Sequence, residues 1–372
     1  MRILHLYKDY FPVLGGIENH IKVLAEAQTA AGHEVEVLVC ADGMQPVTEK
    51  INNVPVRRQA RLATLRSMPI SPALVRQAAR ARSDIVHVHS PFPLGEFALR
   101  HLPPSVRVVA THHSDVVRQK LLLKFYAPFY RQFLKRVDLI LPTSEPYRDS
   151  SPWLAALREK CRVVPLGVDS EHFSPAGRRP PGSSPGLRLL FVGRLRYYKG
   201  LDTLLRALPH LPPQVELSIV GCGNMERAWQ SLTAELGLQE RVRFCGDLDD
   251  SQLLQAYREA DLFVLPCNCR AEAFGTVLLE AMACGLPCIT SDVGSGTSWV
   301  VADGTTGIVV PPSDIAALAS AITSLDRDRA RLAAYGTAAR QRIEKSFTLP
   351  QMVHAVEAAY ASAPNYCTLR HT

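Results

Sequence analysis

Short apolar runs alternate with longer segments of helical period along nearly the whole chain. The runs are 2–6, 34–40, 84–89, 106–111, 137–142 and 162–165 in the first half, and 187–192, 215–220, 242–246, 261–266, 288–291 and 308–312 in the second. Continuous apolar runs of this kind are typical of strands buried on both faces of a parallel sheet, and the helical segments between them are typical of crossover helices. The pattern predicts an α/β fold.

A change in composition separates two series of strands and helices. Residues 169–186 are polar and rich in Pro and Gly, which is typical of an interdomain linker. We therefore predict an N-terminal domain over residues 1–168 and a C-terminal domain over 187–348, in keeping with a chain of 372 residues. We expect a helix over 349–362 to return to the N-terminal domain and residues 363–372 to form a flexible tail.

The composition is that of an ordinary globular protein, with 47% hydrophobic and 21% charged residues. The first strand begins at residue 2 without a signal segment before it, and no apolar run reaches the ~18 residues of a transmembrane helix. We therefore expect a cytoplasmic protein.

Neither the cysteines nor the acidic pairs predict a metal site. The nine cysteines are expected to be reduced, and none has the spacing of a zinc finger. Asp247 and Asp249 resemble the D-x-D pair of metal-dependent transferases, but a helix is predicted directly after them, which favours a helix-capping role.

Positive charge is concentrated in the N-terminal half. Residues 1–168 contain 23 Lys and Arg against 14 Asp and Glu, a net charge of +9, whereas the rest of the chain has a net charge of −2. A basic half favours an anionic partner such as phosphate groups, nucleic acid or an acidic membrane surface.

The most basic segment is 116–136, which has six Lys and Arg, no acid and an apolar side rich in aromatic residues. Such a helix is typical of elements that lie on a membrane surface. The alternative is a helix that packs its apolar side into the core and exposes its basic side to water. Pro128 is expected to kink or split this helix.

Glycine and polar residues follow the predicted strands, and in open α/β folds ligands bind at the carboxyl ends of the strands. Gly15 and Gly16 precede the first helix, whose free N–H groups favour a phosphate, although a simple turn explains them equally well. His112, His113 and Asp115 come directly after the run 106–111. Two histidines and an acid in that place favour a functional role over a structural one.

The second half has the same arrangement of polar residues after strands. Arg194 and Lys199 follow the run 187–192 and have the charge and spacing to bind a diphosphate. Gly221 begins another glycine loop. Glu272 lies on the loop after 261–266 and Glu280 on the next helix, so that two carboxylates frame a loop and could hold the hydroxyls of a sugar and a ribose.

In this order and spacing, the motifs resemble those of the family 4 retaining glycosyltransferases with the GT-B architecture, in which two Rossmann-like domains face each other across a cleft. The similarity covers about residues 1–362. The residues that carry it are Gly15-Gly16, His113, Gly193-Arg194 with Lys199-Gly200, Glu272-x7-Glu280, and Asp303-Gly304-x2-Gly307. The resemblance implies a hexosyltransferase that uses a nucleoside-diphosphate sugar, with no cofactor and no metal.

The resemblance also implies a role for each motif. Arg194, Lys199 and the N–H of Gly16 would bind the donor diphosphate, and Glu280 would bind the ribose. The groups that would hold the transferred sugar are Glu272 and the backbone of Ala273, Phe274 and Gly275. His113 would lie near the reacting sugar, with Asp115 as a helper. In retaining members the leaving phosphate deprotonates the acceptor, so no side-chain base is expected.

One position departs from the family pattern. Many members have Gly-Gly-x-x-Glu where this chain has 294–299, and Trp299 stands in place of the Glu. The segments 296–299 and 197–200 and the first residues resemble a branch that builds bacterial polysaccharide and O-antigen. That likeness favours a GDP-linked mannose or rhamnose as donor and a glycan on a polyprenyl carrier as acceptor. Segment 116–136 would then contact the anionic inner face of the cytoplasmic membrane.

Four other functions were weighed against the sequence. A sugar-nucleotide epimerase or a UDP-sugar-dependent transferase could use the same fold, although an epimerase has no need of a basic aromatic helix. A phosphorylase would require a pyridoxal phosphate lysine or a phosphate site that the motifs do not supply. A nucleic-acid binder would suit the basic half, but the basic residues there alternate with a continuous apolar side rather than with lone stacking aromatics.

Overall fold

A computed structural model describes residues 1–13, 15–65, 68–115, 120–179 and 186–362, apart from the side chains of residues 101 and 120–125. The chain forms two units, which are Met1–Pro165 with Met352–Thr372 and Leu166–Gln351. Residues 169–179 of the predicted linker therefore belong to the second unit. The rest of that linker up to residue 185, residues 116–119 of the basic segment and the predicted tail lie outside the described residues.

The first unit contains a seven-stranded sheet and a small hairpin. The strands are β1 (Arg2–Leu6), β2 (Glu34–Cys40), β3 (Val47–Ile51), β4 (Val54–Gln59), β5 (Ala63–Leu65), β6 (Met68–Ile70), β7 (Ile85–Ser90), β8 (Arg107–His112) and β9 (Leu139–Pro142). The sheet has the order β3-β4-β2-β1-β7-β8-β9, and β5 pairs with β6. Within the sheet β3 is antiparallel to β4, and the other neighbours are parallel.

Five helices of this unit connect the strands. They are α1 (Gly16–Ala30), α2 (Pro72–Ala79), α3 (Pro93–Ala98), α4 (Lys120–Arg136) and α5 (Glu145–Ser150). In α1 the side chains of His20, Leu24 and Gln28 repeat every four residues and are all buried, so they share the face that packs on the sheet.

Helix α4 tests two expectations for the basic segment. It continues through Pro128 as one helix, so the chain is not split there, and the alternative expectation of a kink stays a prediction. Tyr130, Phe133 and Leu134, three of the apolar residues predicted to face a membrane, are buried in the unit's own core. Their packing after Pro128 holds the helix together although the proline removes one backbone hydrogen bond.

The second unit has a six-stranded parallel sheet. Its strands are β10 (Arg188–Val192), β11 (Glu216–Val220), β12 (Val242–Gly246), β13 (Leu262–Leu265), β14 (Cys288–Ser291) and β15 (Gly307–Val310). The order is β12-β11-β10-β13-β14-β15, which is the 3-2-1-4-5-6 order of the Rossmann fold. The predicted α/β fold with parallel sheets in two domains is thereby confirmed.

Seven helices of this unit follow the strands, and an eighth crosses the unit boundary. They are α6 (Leu201–Ala207), α7 (Glu226–Glu235), α8 (Asp250–Glu259), α9 (Thr276–Ala283), α10 (Thr297–Val300), α11 (Ile315–Arg327), α12 (Arg329–Ser346) and α13 (Leu349–Ser362). From Met352 onwards α13 belongs to the first unit, where Tyr360 is buried. In the described part of the chain no helix is both long and apolar enough to span a membrane.

One predicted strand is wrong. Residues 162–165 run beside β9 and donate two backbone hydrogen bonds to it, from Arg162 to Ile140 and from Val164 to Pro142, but they form no strand. Pro165 ends the run early, because proline has no N–H to continue a ladder.

Candidate active site

Each sheet has a point where the strand order changes direction, and the candidate residues lie around these two points. In the second unit the change falls between β10 and β13, and in the first unit between β1 and β7. In open α/β folds, ligands bind outside the carboxyl ends of the strands at such a point. The two units are described separately.

In the second unit, an ion pair joins the loops after β10 and β13. Lys199 Nζ lies 2.6 Å from Glu272 Oε2, and the two side chains are only 9% and 13% exposed. The Asn268 side-chain amide donates to the Tyr197 carbonyl at 2.8 Å, and the Asn268 N–H donates to the Tyr198 carbonyl at 3.0 Å. The sequence predicts separate roles for Lys199 and Glu272, and the structure brings them into direct contact.

Glycine is required where these loops meet. Gly200 has φ 69°, and a Cβ at this position would lie 1.9 Å from the Pro266 carbonyl oxygen. No side chain can be accommodated against backbone at that distance, so Gly200 lets the loops approach closely enough for the ion pair to form.

Lys199 keeps its positive charge in this environment. Burial alone would lower the pKa of its ammonium group, but the Glu272 carboxylate acts against burial and raises the pKa above its ordinary value. The loop thus holds a fixed cation beside a carboxylate at the switch point.

Glu280 lies on α9, and Tyr257 on α8 donates a hydrogen bond of 2.7 Å from its hydroxyl to Glu280 Oε2. Although part of the Glu280 side chain reaches solvent, its dense surroundings raise the pKa of the carboxyl to about 7, against the lowering effect of the Tyr257 hydrogen bond. Burial likewise raises the pKa of the Tyr257 phenol.

The residues predicted to present their backbone to the sugar lead into α9. Ala273 and Phe274 are buried, and Gly275, with φ 79°, immediately precedes the helix. The Ala273 carbonyl accepts a 2.7 Å hydrogen bond from the Gly296 N–H. The ring of Trp299 packs edge-on against Phe274. It packs in the same way against Phe347, at a centroid distance of 5.5 Å. Trp299 therefore contacts the loop that carries Phe274.

Other predicted residues of this unit lie at the same edge of the sheet or cap a helix. Arg194 is exposed at the start of the loop after β10. Gly221 has φ 112°, and its N–H donates to the Gly246 carbonyl at 2.7 Å. Asp249 is the N-cap of α8 in a reciprocal capping box with Gln252, which confirms its predicted role. Asp247 Oδ1 accepts a 3.0 Å hydrogen bond from the Cys222 N–H.

In the first unit, Gly15 and Gly16 lie at the N-terminus of α1. A Cβ on Gly15 would be 2.2 Å from Glu18 Oε2, which shows that the Glu18 carboxylate folds back over the start of its own helix. A carboxylate in the first turn is favourable for the helix dipole, so this N-terminus already has an anionic group beside it.

His113 lies directly after β8, where its N–H donates to the Ser90 carbonyl at 2.9 Å. Its ring is buried among other histidines: Nε2 is 3.1 Å from Nδ1 of His89, and His20 packs edge-on against it at a centroid distance of 5.1 Å. Burial holds the pKa of His113 well below its ordinary value, and the ring is neutral.

Asp115 contacts His112, the neighbour of His113, and its expected role as a helper of His113 stays a prediction. Its Oδ1 lies 2.9 Å from Nε2 of His112 and accepts a 2.9 Å hydrogen bond from the Ser151 hydroxyl. Adjacent residues at the end of a strand point to opposite faces of the sheet, so His112 and His113 enter different networks. His112 faces α4, where its Nδ1 is 2.9 Å from the Tyr130 hydroxyl.

The sequence interpretation missed three residues that surround His113 or Glu280. They are His20, His89 and Tyr257. A signal for His89 was present, because His87 and His89 alternate within a strand and must lie on one face of the sheet. Nothing in the local sequence around Tyr257 indicates that its hydroxyl contacts an acid 23 residues later.

Family models match both halves of the chain. The model described as Glycosyltransferase Family 4 matches residues 14–172, and the model described as Glycosyl transferases group 1 matches residues 180–342. The O-antigen chain mannosyltransferase C of Escherichia coli is 33% identical over 370 residues, which are 97% of this chain and 98% of the relative. The D-rhamnosyltransferase WbpZ of Pseudomonas aeruginosa is 36% identical over 358 residues, 94% and 92% of the two chains.

Solved structures show the same fold over nearly the full length. A sucrose-phosphate synthase of Thermosynechococcus elongatus has a TM-score of 0.80 at 25% identity, covering 97% of this chain and 98% of that one. HepE of Anabaena, solved in complex with UDP, has a TM-score of 0.78 at 21% identity, covering 97% and 100%. At that identity the second likeness concerns the fold alone.

Proposed function

The chain belongs to the family 4 glycosyltransferases, as its motifs predicted, and we infer its function from this membership. We propose that it transfers mannose or rhamnose from a GDP-linked donor to a lipid-linked glycan acceptor in the synthesis of a cell-surface polysaccharide. The support for this choice is that a mannosyltransferase of O-antigen chains and a D-rhamnosyltransferase match it along nearly their whole length. Glycosyl transfer is the activity of the family, and the donor, acceptor and mechanism are proposals.

The ion pair between Lys199 and Glu272 is the observation that supports donor binding most directly. A buried lysine beside a carboxylate at a topological switch point offers a cation to a diphosphate and oxygen acceptors to sugar hydroxyls. On binding, the diphosphate would replace Glu272 as the ion-pair partner of Lys199, and Arg194 would add a second cation. The freed Glu272 carboxylate would then accept hydrogen bonds from the transferred sugar, and Glu280 would accept them from the ribose.

Transfer is proposed to be retaining and independent of metal. The fixed charges of Lys199 and Arg194 would stabilise the leaving diphosphate, in the manner of preorganised donors aimed at developing charge. The C1–O bond to the leaving phosphate breaks as the acceptor oxygen bonds to C1 on the same face, and the acceptor proton passes to the phosphate oxygen. His113 would lie near the reacting sugar without acting as a base.

Peripheral membrane contact is proposed through a smaller surface than segment 116–136. With Tyr130, Phe133 and Leu134 buried, the described aromatic groups of this surface include Phe97, which is 42% exposed, and Phe129, stacked on it at 5.9 Å. Arg100 lies over both rings, and Arg131 and Lys135 are exposed on α4. Two aromatic rings with three cations suit the interface of an anionic leaflet, where a lipid-linked acceptor would be met.

A thermal-shift screen in EDTA tests the donor. GDP-mannose and GDP-rhamnose should raise the melting temperature more than UDP-glucose or dTDP-rhamnose, since a ligand at 100 times its Kd adds about 2.7 kcal/mol. Glu280→Ala should weaken the shift. A larger shift with UDP-glucose would favour the UDP-dependent alternative, and no shift with any donor would refute the donor site. Conversion of the donor sugar to an epimer without acceptor would identify an epimerase instead.

Co-sedimentation with anionic vesicles tests the membrane surface. The variant Arg100→Gln/Arg131→Gln/Lys135→Gln should bind less than the native chain, and Phe97→Ser should weaken binding further. Arg206→Gln/Arg227→Gln/Arg243→Gln removes the same number of exposed cations from the second unit and is the matched control. Equal binding by the two triple variants would show that charge alone, and not this surface, attracts the protein.

Substituting Lys120, Lys124, Arg131 and Lys135 with Gln tests the longer segment first predicted.

A further inference from the structure

A row of buried imidazoles crosses one face of the sheet in the first unit. His5 on β1 pairs in register with His87 on β7, and His89 lies two residues further along β7 on the same face. His113 follows β8, and His20 lies on α1, which packs on this face. All five side chains are buried, with exposed fractions between 0% and 7%.

Three short distances join part of this row into a chain that begins at Gln28 on α1. Gln28 Oε1 lies 2.8 Å from Nε2 of His5. His5 Nδ1 lies 3.1 Å from Nε2 of His89, and His89 Nδ1 lies 3.1 Å from Nε2 of His113. This hydrogen-bonded row therefore runs from the last turn of α1 to His113, the residue expected beside the reacting sugar.

The three rings in the chain are neutral. Burial lowers the pKa of His5 to about 4, and burial together with the neighbouring imidazoles holds the pKa of His89 and of His113 well below the ordinary value. A neutral imidazole has one N–H and one lone pair, so a ring that donates from one nitrogen must accept at the other. The direction of the first hydrogen bond therefore sets the direction of all the others.

Gln28 provides that direction. Its carbonyl oxygen faces His5 and can only accept. Its amide nitrogen faces Tyr360. Burial raises the pKa of the Tyr360 hydroxyl, and this amide lowers it in part. The amide nitrogen has no hydrogen-bond partner among the described residues. The Tyr360 hydroxyl in turn lies 2.6 Å from Nδ1 of His87, which keeps His87 out of the chain.

We propose that Gln28, acting through His5 and His89, is a positioning residue that keeps the proton of His113 on Nε2 and leaves Nδ1 free to accept a hydrogen bond. The consequence for transfer rests on the proposed function, because there an acceptor nitrogen would meet a hydroxyl of the donor sugar. The tautomer itself is a property of the free protein and is measured without substrate.

A metal ion is the competing explanation of the cluster. His20, His89 and His113 each have one ring nitrogen within 4.8 Å of the others, and so do His5, His87 and His89. In addition, His20 has no hydrogen-bond partner on either nitrogen among the described residues. Hydrogen bonding between the imidazoles explains the cluster better than a metal ion does, since both nitrogens of His89 lie at hydrogen-bond distance from another imidazole nitrogen.

Long-range 1H–15N correlation spectra of histidine-labelled protein test the proposal. His5, His89 and His113 should each show the Nε2–H tautomer, with assignments taken from His5→Gln, His89→Gln and His113→Gln. The native spectrum decides the direction, so this step needs no variant of Gln28. An Nδ1–H tautomer or a mixture at His113 would overturn the proposal, as would one equivalent of bound Zn2+ that shifts the 15N signals of these rings.

Variants of Gln28 test the control at a distance. Gln28→Glu keeps an acceptor towards His5 and should preserve the Nε2–H tautomer of His113, whereas Gln28→Leu removes it and should give a mixture. Asn19→Leu removes an exposed amide from the same helix and is the control. In assays, Gln28→Leu should lower kcat at unchanged donor Kd, and Gln28→Glu should restore it. An unchanged His113 tautomer in Gln28→Leu would refute the proposal, while a changed tautomer with normal kcat would refute only the role of His113 in transfer.

Discussion

Glu280 should make the second unit less stable as the pH rises, and Glu280→Gln should remove this loss. The carboxyl has a folded-state pKa of about 7 against an ordinary value of 4.5. Below about pH 4.5 it is protonated in both states and costs nothing. Between these values the unfolded state loses its proton first, so the folded state is progressively disfavoured, and above about pH 7 the loss is complete.

The size of the effect follows from the shift. Each pKa unit corresponds to about 1.36 kcal/mol, so the difference between 4.5 and about 7 sets an upper limit of about 3 kcal/mol. Part of the side chain reaches solvent, which screens the charge and reduces this value. A glutamine side chain has nearly the same volume as that of glutamate, and its carbonyl oxygen can still accept the hydrogen bond of the Tyr257 hydroxyl.

Equilibrium unfolding at about pH 5 and about pH 8.5 measures the effect. Two of the three tryptophans, Trp229 and Trp299, lie in the second unit, so a Trp153→Phe background makes the fluorescence report on that unit. Relative to the native side chain, the Glu280→Gln substitution should stabilise by less than about 1 kcal/mol at about pH 5 and by about 1–3 kcal/mol at about pH 8.5. Glu235→Gln, which removes an exposed carboxylate of the same unit, is the control.

The same gain at both pH values would refute the reasoning, because it would show that the carboxyl is not held protonated by its surroundings. A gain in stability at high pH is the predicted result. If Glu280→Gln also weakens donor binding, this would explain why an acid stands at this position. A buried group that lowers stability and improves binding is a common compromise in functional sites.

Three further predictions concern single side chains. His113→Ala should lower kcat by on the order of 100-fold with a much smaller change in donor Kd, and near-normal turnover in a steady-state assay would exclude a role at the reacting sugar. Lys199→Met leaves the Glu272 carboxylate without its cation and should destabilise the second unit by about 3 kcal/mol. Glu272→Gln added to it should recover most of this loss in urea unfolding, and equal stability of the single and double variants would contradict the ion pair. Asp249→Ala removes the cap of α8 and should lower the urea midpoint of the second unit, and activity should not depend on added Mg2+ before or after the substitution.

The sequence predicts the scaffold well because each strand is a local feature. The apolar runs are short and bounded by glycine or polar residues, so buried parallel strands and their order in the chain follow from periodicity alone. The hairpin of β3 and β4 was not predicted, since β3 is largely exposed and has no continuous apolar run. The burial of Tyr130, Phe133 and Leu134 could not be predicted either, because an apolar helix side suits a membrane and a core equally well.

Contacts between distant residues are where sequence reasoning falls short. The pattern places Lys199 and Glu272 on loops after two strands, but only the order of β10 and β13 in the sheet makes these loops neighbours. The shared hydrogen bond of Tyr257 and Glu280 depends likewise on how α8 and α9 pack. Such contacts are decided by tertiary arrangement, and residue type at one position carries no information about the partner.

Two adjacent residues at the end of β8 show how strongly strand register affects the contacts of a side chain. His112 and His113 are adjacent and chemically identical, yet one contacts Asp115 and Tyr130 and the other contacts His89. The parity of each position along the strand decides which face its ring occupies, and parity is fixed by the register of β8 with β7, in which Ser90 pairs with His112. A one-residue shift of β8 would exchange the two histidines while leaving every apolar run intact. The register of this strand, held by buried residues on both faces, therefore determines which histidine joins His89 and which contacts Asp115.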